Sequence, residues 1–255
     1  MDASELWVTA TQPLLFPPLY MIERFARCDV VVLMQEAQHS RQAEHSWLLL
    51  TSPDGEVKIS LRCKDKNRRP IDQIRVLDLE RWCVDLKLRL RMAYGRQPGY
   101  AAAGQALDRF LDGLGQMVDP TLHEVSRATM IFASACLGVH PVWLDSKSLV
   151  PERPADAVAW LADLAYAAGA TDYVQGRVSI ENYFSPGAFE RHGIHLWAQE
   201  WPQPELPRLG GQPGLRTSLL DSLLISGPER LRELIGADAG KGARAGSVVE
   251  LPDWA

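Results

Sequence analysis

Residues 7–34 read WVTATQPLLFPPLYMIERFARCDVVVLM, and this stretch decides the fold of the chain. Residues 7–10 have the apolar character of a strand, and the segment YMIERFARC carries Met21, Ile22 and Phe25 at helical spacing. The following DVVVLM is a continuous apolar run rich in β-branched residues, which is typical of a strand covered on both faces. A strand, a helix and a second strand in so short a segment predict a βαβ unit with parallel strands.

The loop between that first strand and the helix contains Gln12-Pro13 and Pro17-Pro18. Such prolines suit a tight connection. They also stiffen a loop that leaves the carboxyl end of a strand, which is where open α/β sheets bind ligands. The second interpretation makes Gln12 a candidate site residue, because its amide offers both a donor and an acceptor.

Apolar runs and helical patterns alternate through most of the remaining chain. The segments HPVWLDSKS, TDYVQG and IHLWAQEW predict further strands, and the last helical segment is broken at Gly227-Pro228. The segment SWLLLTSPDGEVKISLRC differs, because its two apolar runs flank a Ser-Pro-Asp-Gly turn and predict an antiparallel hairpin. We therefore predict an α/β fold with a mostly parallel sheet flanked by helices and interrupted by an antiparallel hairpin insertion.

Size and composition limit the classes of protein that the chain can represent. Its 255 residues predict one domain over residues 1–236, followed by a Gly- and Ala-rich mobile tail over residues 237–255. The net charge of −5 gives no electrostatic footprint for nucleic acid. No apolar run approaches the ~20 residues that span a bilayer, and no signal segment opens the sequence, so we expect a cytoplasmic protein.

Several familiar motifs are missing. The four cysteines are widely spaced without a CxxC pair, and the six histidines never form HExxH, so we predict reduced core thiols and no metal site. The phosphate-binding motifs GxGxxG and GxxxxGKS/T and the nucleophile elbow GxSxG are also absent. Pattern and composition alone predict an α/β protein with one ligand cleft.

The candidates for catalysis are polar residues that follow the first two predicted strands. The carboxyl ends of these parallel strands lie at one edge of the predicted sheet. A neutral His39 imidazole accepts a proton near pH 7, so we assign it as general base. Arg41 would bind a carboxylate or a phosphate in fork geometry. A polar surface turn is the alternative for both residues. The site hypothesis places Gln12, His39 and Arg41 in one pocket with part of the segment DYVQGR.

A second set of polar residues would bind substrate. Ser146 and Lys147 suit a phosphate or a pantetheine arm, and a solvated loop is the alternative. Asp221 lies within an apolar helix, where a carboxylate needs a partner, and a hydrogen bond to a loop would also supply one. The predicted substrate-binding residues are Gln38, Ser146, Lys147, Tyr173, Gln175, Arg177 and Asp221.

Read together, these segments resemble the WbqC-like family. The shared opening elements are Gln12-Pro13, Pro18, Tyr20, Asp29 and the segment QHSR, and the downstream segments GATDYVQG and SLLDSLLISG follow in the family's order. The sequence departs from the usual pattern at His39, where an aromatic is more common, and at residues 45–47, where members carry Asn-Arg-Asn. These departures imply a specialised substrate.

The resemblance implies a transferase of O-antigen, other glycan or specialised-metabolite biosynthesis. Such an enzyme would move an acyl or aminoacyl group from a carrier-protein or coenzyme A thioester to an amino sugar or another amine, forming an amide or ester. It would need no cofactor beyond a phosphopantetheine thioester as donor. The alternatives are a non-catalytic binding module for a sugar nucleotide or carrier protein, and a glycosyl- or nucleotidyltransferase relative. The His-x-Gly-His signature of nucleotidyltransferases is absent.

Overall fold

The computed structural model of the chain describes residues 5–183, 187–201, 204–209, 217–237 and 248–250. Its strands are β1 (Trp7–Thr11), β2 (Val30–Leu33), β3 (Trp47–Ser52), β4 (Gly55–Ser60), β5 (Val142–Asp145), β6 (Asp172–Gly176), β7 (His195–Gln199) and β8 (Val248–Glu250). Its α-helices are α1 (Leu19–Arg27), α2 (Leu79–Tyr94), α3 (Pro98–Gly115), α4 (Leu122–Cys136), α5 (Ser146–Leu149), α6 (Ala157–Ala167), α7 (Arg177–Tyr183), α8 (Gly187–Glu190), α9 (Leu219–Ser226) and α10 (Pro228–Ile235). A 3₁₀-helix covers Ile71–Gln73.

The main sheet has the strand order β5-β2-β1-β6-β7-β8, and its first five strands are parallel. Strand β1 pairs with β2 from Val8 opposite Val30 to Thr11 opposite Leu33, which confirms the predicted βαβ unit. The chain builds outward from β1 through β2 and β5, and then places β6 on the other side of β1. The direction of winding therefore reverses between β1 and β6, where open α/β sheets form ligand crevices.

Helices cover both faces of this sheet. Ile22 and Phe25 of α1 share one core cluster with Val31 and Leu33, while α6 packs on the opposite face. All residues of β1 and β2 are buried, as expected for strands covered on both sides. Because helix α1 packs on the sheet, its polar residues lie close to the carboxyl ends of the strands.

The predicted hairpin is confirmed as a separate two-stranded antiparallel sheet of β3 and β4, closed by the turn from Ser52 to Gly55. Gly55 adopts a φ of +125°, which a residue with a side chain rarely takes up. Leu48 and Leu50 of β3 are buried in the main core. The hairpin is therefore an insertion that packs against the sheet domain without joining its sheet.

Two local features differ from the sequence expectations. The polar loop expected after β5 forms the short helix α5, and residues 248–250 of the segment predicted to be mobile pair antiparallel with β7. That pairing needs only backbone groups, so the segment's composition did not reveal it. Residues 238–247 and 251–255 of the predicted tail lie outside the described residues. Within the described ranges, no helix has the length and apolar character needed to cross a bilayer.

Candidate functional site

Polar residues follow the carboxyl end of each parallel strand, and all of these ends lie at one edge of the sheet. They are Gln12 after β1, Gln35 and Glu36 after β2, Asp145 and Ser146 at β5, Gln175 in β6, and Gln199 and Glu200 at β7. Their contacts fall into three groups, which lie beside the Gln-Pro loop, at the β5 end and at the β6–β7 end.

The group beside the Gln-Pro loop contains two histidines. His45 Nδ1 lies 2.8 Å from the carbonyl oxygen of Pro13, and the His39 and His45 ring centroids are 5.6 Å apart. Because a carbonyl only accepts, His45 must donate from Nδ1, and this contact holds the loop in place. The predicted proximity of His39 to this loop therefore arises through His45.

His39 forms its own polar contact with a serine. His39 Nε2 lies 3.1 Å from Ser46 Oγ, and Lys66 Nζ donates to the same oxygen at 3.4 Å. An ammonium has no acceptor, so the Ser46 hydroxyl accepts from Lys66 and has its own proton for His39 Nε2. Lys66, Ser46 and His39 thus form a directed chain of hydrogen bonds.

This chain of hydrogen bonds is buried at Ser46 and His39, and burial keeps the His39 imidazole uncharged. His39 is 6% exposed and Ser46 1%. Burial, together with the nearby His45, Lys66 and Arg41, lowers the pKa of His39 from 6.5 to about 4. Burial also lowers the pKa of His45, although its hydrogen bond to Pro13 opposes the shift. At neutral pH both rings are therefore uncharged, and the lowered pKa makes His39 a weaker base than the sequence analysis assumed.

The low pKa of His39 predicts a specific acid sensitivity. The unfolded chain binds a proton at this residue below about pH 6.5, whereas the folded chain does so only near pH 4. Folding stability is therefore fully present above that window and is lost as the pH falls through it, by up to about 3 kcal/mol. Urea unfolding at several pH values should show a shallower loss in His39→Gln than in the wild type. Parallel stability curves for the two proteins would contradict this expectation.

The other residues predicted for this pocket lie on the surface. Gln12 is exposed, and Arg41 Nη2 donates to Asn67 Oδ1 at 2.8 Å on the surface. Gln38 Nε2 donates to the carbonyl oxygen of Arg68 at 2.9 Å. Among the described residues, no hydrogen bond joins His39 or Arg41 to DYVQGR. The contacts thus link His39 with the Gln-Pro loop but place the β6 residues in a separate group.

At the β5 end, the polar side chains contact one another. Ser146 Oγ accepts from the Gln35 amide at 3.2 Å and donates to the Glu36 carboxylate, and Lys147 pairs with Asp72. Ser146 is fully buried, so these contacts satisfy its side chain inside the protein and do not expose it to a ligand.

Two residues of α4 extend this β5 group and were missed by the sequence analysis. His123 Nε2 lies 3.1 Å, and Arg127 Nε 3.7 Å, from Asp145 Oδ1. The contact with His123 lowers the pKa of Asp145, against the effect of burial. The sequence placed both residues on an ordinary amphipathic helix, with no signal that they would reach a strand end.

At the β6–β7 end, Tyr173 is a core residue, fully buried with its ring 4.8 Å from that of Phe189. Gln175 instead faces the edge, where its Oε1 accepts from Arg24 Nη1 at 2.6 Å. Arg177 pairs with Glu200 on the surface. Arg24 was not predicted as a site residue, because its charged helix face resembles a solvated one.

The Asp221 carboxylate accepts hydrogen bonds from buried groups of the protein. Its Oδ1 accepts from the Thr51 amide at 2.8 Å, from Thr51 Oγ1 at 2.6 Å and from the Tyr94 hydroxyl at 2.6 Å. The carboxylate is 1% exposed, and burial followed by the charge of Asp221 raises the pKa of Tyr94. These contacts fasten α9 to the hairpin strand β3 and to α2, which corresponds to the structural alternative for this residue.

Potential metal ligands do not gather into a site in the described part of the chain. In the ranges that the structure covers, no group of three or more His, Cys, Asp or Glu residues could hold a metal ion. The four cysteines are free thiols, with Cys28 and Cys83 buried.

Comparison with known proteins gives one match. A family model described as the WbqC-like protein family matches residues 12–233, from the Gln-Pro loop into α10. Neither a curated protein nor a solved structure matches the chain. The matched region contains the hydrogen-bond chain of Lys66, Ser46 and His39 and the carboxyl ends of β2, β5, β6 and β7.

Proposed function

Because this chain belongs to the WbqC-like protein family, we propose that it is a group transferase that forms an amide or an ester. The donor is an acyl or aminoacyl thioester on a carrier protein or on coenzyme A. The acceptor is an amino sugar or another amine-bearing or hydroxyl-bearing molecule of glycan or specialised-metabolite biosynthesis. The protein acts in the cytoplasm, where such thioesters are made.

The observation that carries this proposal is the contact of an uncharged His39 with the Ser46 hydroxyl beside the Gln-Pro loop. In amide formation, the acceptor nitrogen attacks the thioester carbonyl, the new C–N bond forms and the C–S bond breaks. The nitrogen must lose a proton and the departing thiolate gains one. Ser46 takes the proton from the acceptor while it passes its own to His39 Nε2, so His39 is the general base through one hydroxyl.

The low basicity of His39 suits the second half of this exchange. An imidazolium whose pKa is about 4 gives up its proton readily, and the thiolate formed by C–S cleavage is much more basic. His39 thus returns to its neutral form within one turnover. Because Ser46 is 1% exposed and accepts a hydrogen bond from Lys66, we expect the Lys66 side chain to move aside when the acceptor binds.

A basic segment borders this group and fits the donor. Residues 62–69 read RCKDKNRR, with five cations and one carboxylate. His39 donates its backbone N–H to the Arg69 carbonyl at 2.9 Å, and Arg41 contacts Asn67 of the same segment. Positive side chains at this position bind the phosphate of a phosphopantetheine arm and attract an acidic carrier protein.

We expect Arg41→Ala to weaken donor binding with little change in the chemical step. The KM for the thioester donor should rise about tenfold, because one charge-assisted contact is removed, while kcat stays near the wild-type value. Steady-state kinetics at two salt concentrations measure this change, and the wild-type advantage should shrink at high salt. Arg230→Gln, which removes a distant exposed cation, is the matched control. A fall in kcat with unchanged KM would contradict this role.

The proposed reaction is tested by intact mass spectrometry of candidate carriers and acceptors incubated with the protein. Acceptor mass should increase by the acyl or aminoacyl group, and carrier mass should fall by the same amount, only when the protein is present. A binding module for a sugar nucleotide or carrier protein is the second candidate, favoured by the burial of Ser46. Tight binding of a carrier or nucleotide without any mass transfer across the donor panel would establish that alternative.

A further inference from the structure

Arg24 of α1 reaches across the sheet edge to the ends of two parallel strands. Its Nε donates to Gln199 Oε1 at 2.8 Å, and its Nη1 donates to Gln175 Oε1 at 2.6 Å. The side chain is 7% exposed although it carries a full positive charge. Both strand ends therefore orient one guanidinium through their side-chain amides.

The hydrogen bonds of Arg24 go to groups that carry no charge. Both hydrogen-bond acceptors are neutral amides, and within the described part of the chain Arg24 forms no ion pair. The adjacent carboxylate of Glu23 contacts Arg27 at 2.7 Å and the Gln199 amide. Burial lowers the pKa of Arg24 and outweighs the charge of Glu23, which raises it. A buried cation whose hydrogen-bond acceptors are neutral costs free energy that an anion would recover.

The local backbone leaves part of the guanidinium free for a ligand. Arg24 Nη2 has no hydrogen-bond partner in the ranges that the structure covers, and it lies against Gly176 at the end of β6. A Cβ at position 176 would come within 2.9 Å of Nη2, so only glycine accommodates this position of the guanidinium without a shift. Gly176 also lies next to the β1–β6 reversal of the sheet, where ligand crevices form.

We propose that Arg24 binds an anionic group of a substrate, a phosphate or a carboxylate, at the carboxyl ends of β6 and β7. Gln175 and Gln199 hold the guanidinium, and its free Nη2 together with the second proton of Nη1 faces the anion as a fork. This inference rests on the proposed function only for the source of the anion. A nucleotide-linked acceptor or a phosphopantetheine donor would supply a phosphate, and an acidic acceptor would supply a carboxylate.

The test measures anion binding by the full-length protein without donor or acceptor. Inorganic phosphate, pyrophosphate and acetate are titrated separately at an ionic strength held constant with chloride, by calorimetry and by thermal shift. The wild type should bind at least one of these anions and melt at a higher temperature in its presence. Pyrophosphate binding tighter than phosphate points to a nucleotide-linked substrate, phosphate alone to the pantetheine arm, and acetate alone to an acidic acceptor.

Two variants locate the bound anion. Arg24→Gln should weaken binding about tenfold or more, because it removes the charge and the fork. Gly176→Ala keeps the charge but fills the space beside Nη2, and it should weaken binding by a similar factor, so it carries the test if Arg24→Gln does not fold. Arg230→Gln controls for loss of a distant surface cation and should bind as the wild type does.

Two results would overturn the proposal. One is a wild type that binds none of the three anions. The other is binding that survives both Arg24→Gln and Gly176→Ala, because the anion would then lie elsewhere. Equilibrium binding needs no turnover, so a failure of the acyl-transfer reaction leaves this result unaffected, and the reverse also holds.

Discussion

His39→Gln should lower turnover by about 10²- to 10⁴-fold, the usual effect of removing a positioned general base. Glutamine keeps a polar group beside Ser46 but cannot take up a proton. The effect should fall on kcat, since His39 contacts the acceptor only through the Ser46 hydroxyl. Turnover by the purified variant with a donor and acceptor pair identified by mass spectrometry measures it.

Three further variants separate catalysis from folding. Ser46→Ala should lose turnover to a similar extent, and the double variant should lose little more, because the two residues act as one unit. His192→Gln, which changes an unrelated histidine paired with Asp163, should behave as the wild type. Near-normal turnover in His39→Gln would refute the base assignment, whatever its melting temperature.

Asp221→Ala should cause the largest loss of stability, about 4 kcal/mol, because it leaves the Thr51 amide and the Tyr94 hydroxyl without their buried acceptor. For a chain of this size the melting temperature should fall by about 8–16 °C. Thermal unfolding followed by circular dichroism measures the change. Tyr94→Phe removes a single donor from the same carboxylate and should cost only about 1 kcal/mol. If Asp221→Ala keeps its stability but loses substrate binding, the residue is a ligand contact instead.

Local chemistry explains why the fold could be predicted from the sequence. The β-branched run at residues 30–33 and the preceding helix required a βαβ unit, and the Ser-Pro-Asp-Gly turn required a hairpin. The short helix α5 and the pairing of residues 248–250 escaped prediction, because backbone hydrogen bonds in a folded context determine them. Periodicity carries little information on such short segments.

The candidate site was predictable only in part. His39 could be found because it follows a strand end, but Ser46 and Lys66 meet it only after the chain folds back from residues 61–70. Arg24 escaped because Glu23, Arg24 and Arg27 give α1 a charged face that normally lies in solvent. Here Glu23 and Arg24 lie against the ends of β6 and β7, where two glutamines replace water.

The central position of β1 affects the synthesis of this protein on the ribosome. The nascent chain can form the β5-β2-β1 half of the sheet once Asp145 has emerged, but the other edge of β1 pairs with β6. During elongation from Asp145 to Asp172, that half presents an unpaired edge in the middle of the future sheet. Slow translation or a premature stop in this interval would therefore leave an aggregation-prone intermediate with an exposed strand edge. This is the stage at which chaperones would be needed.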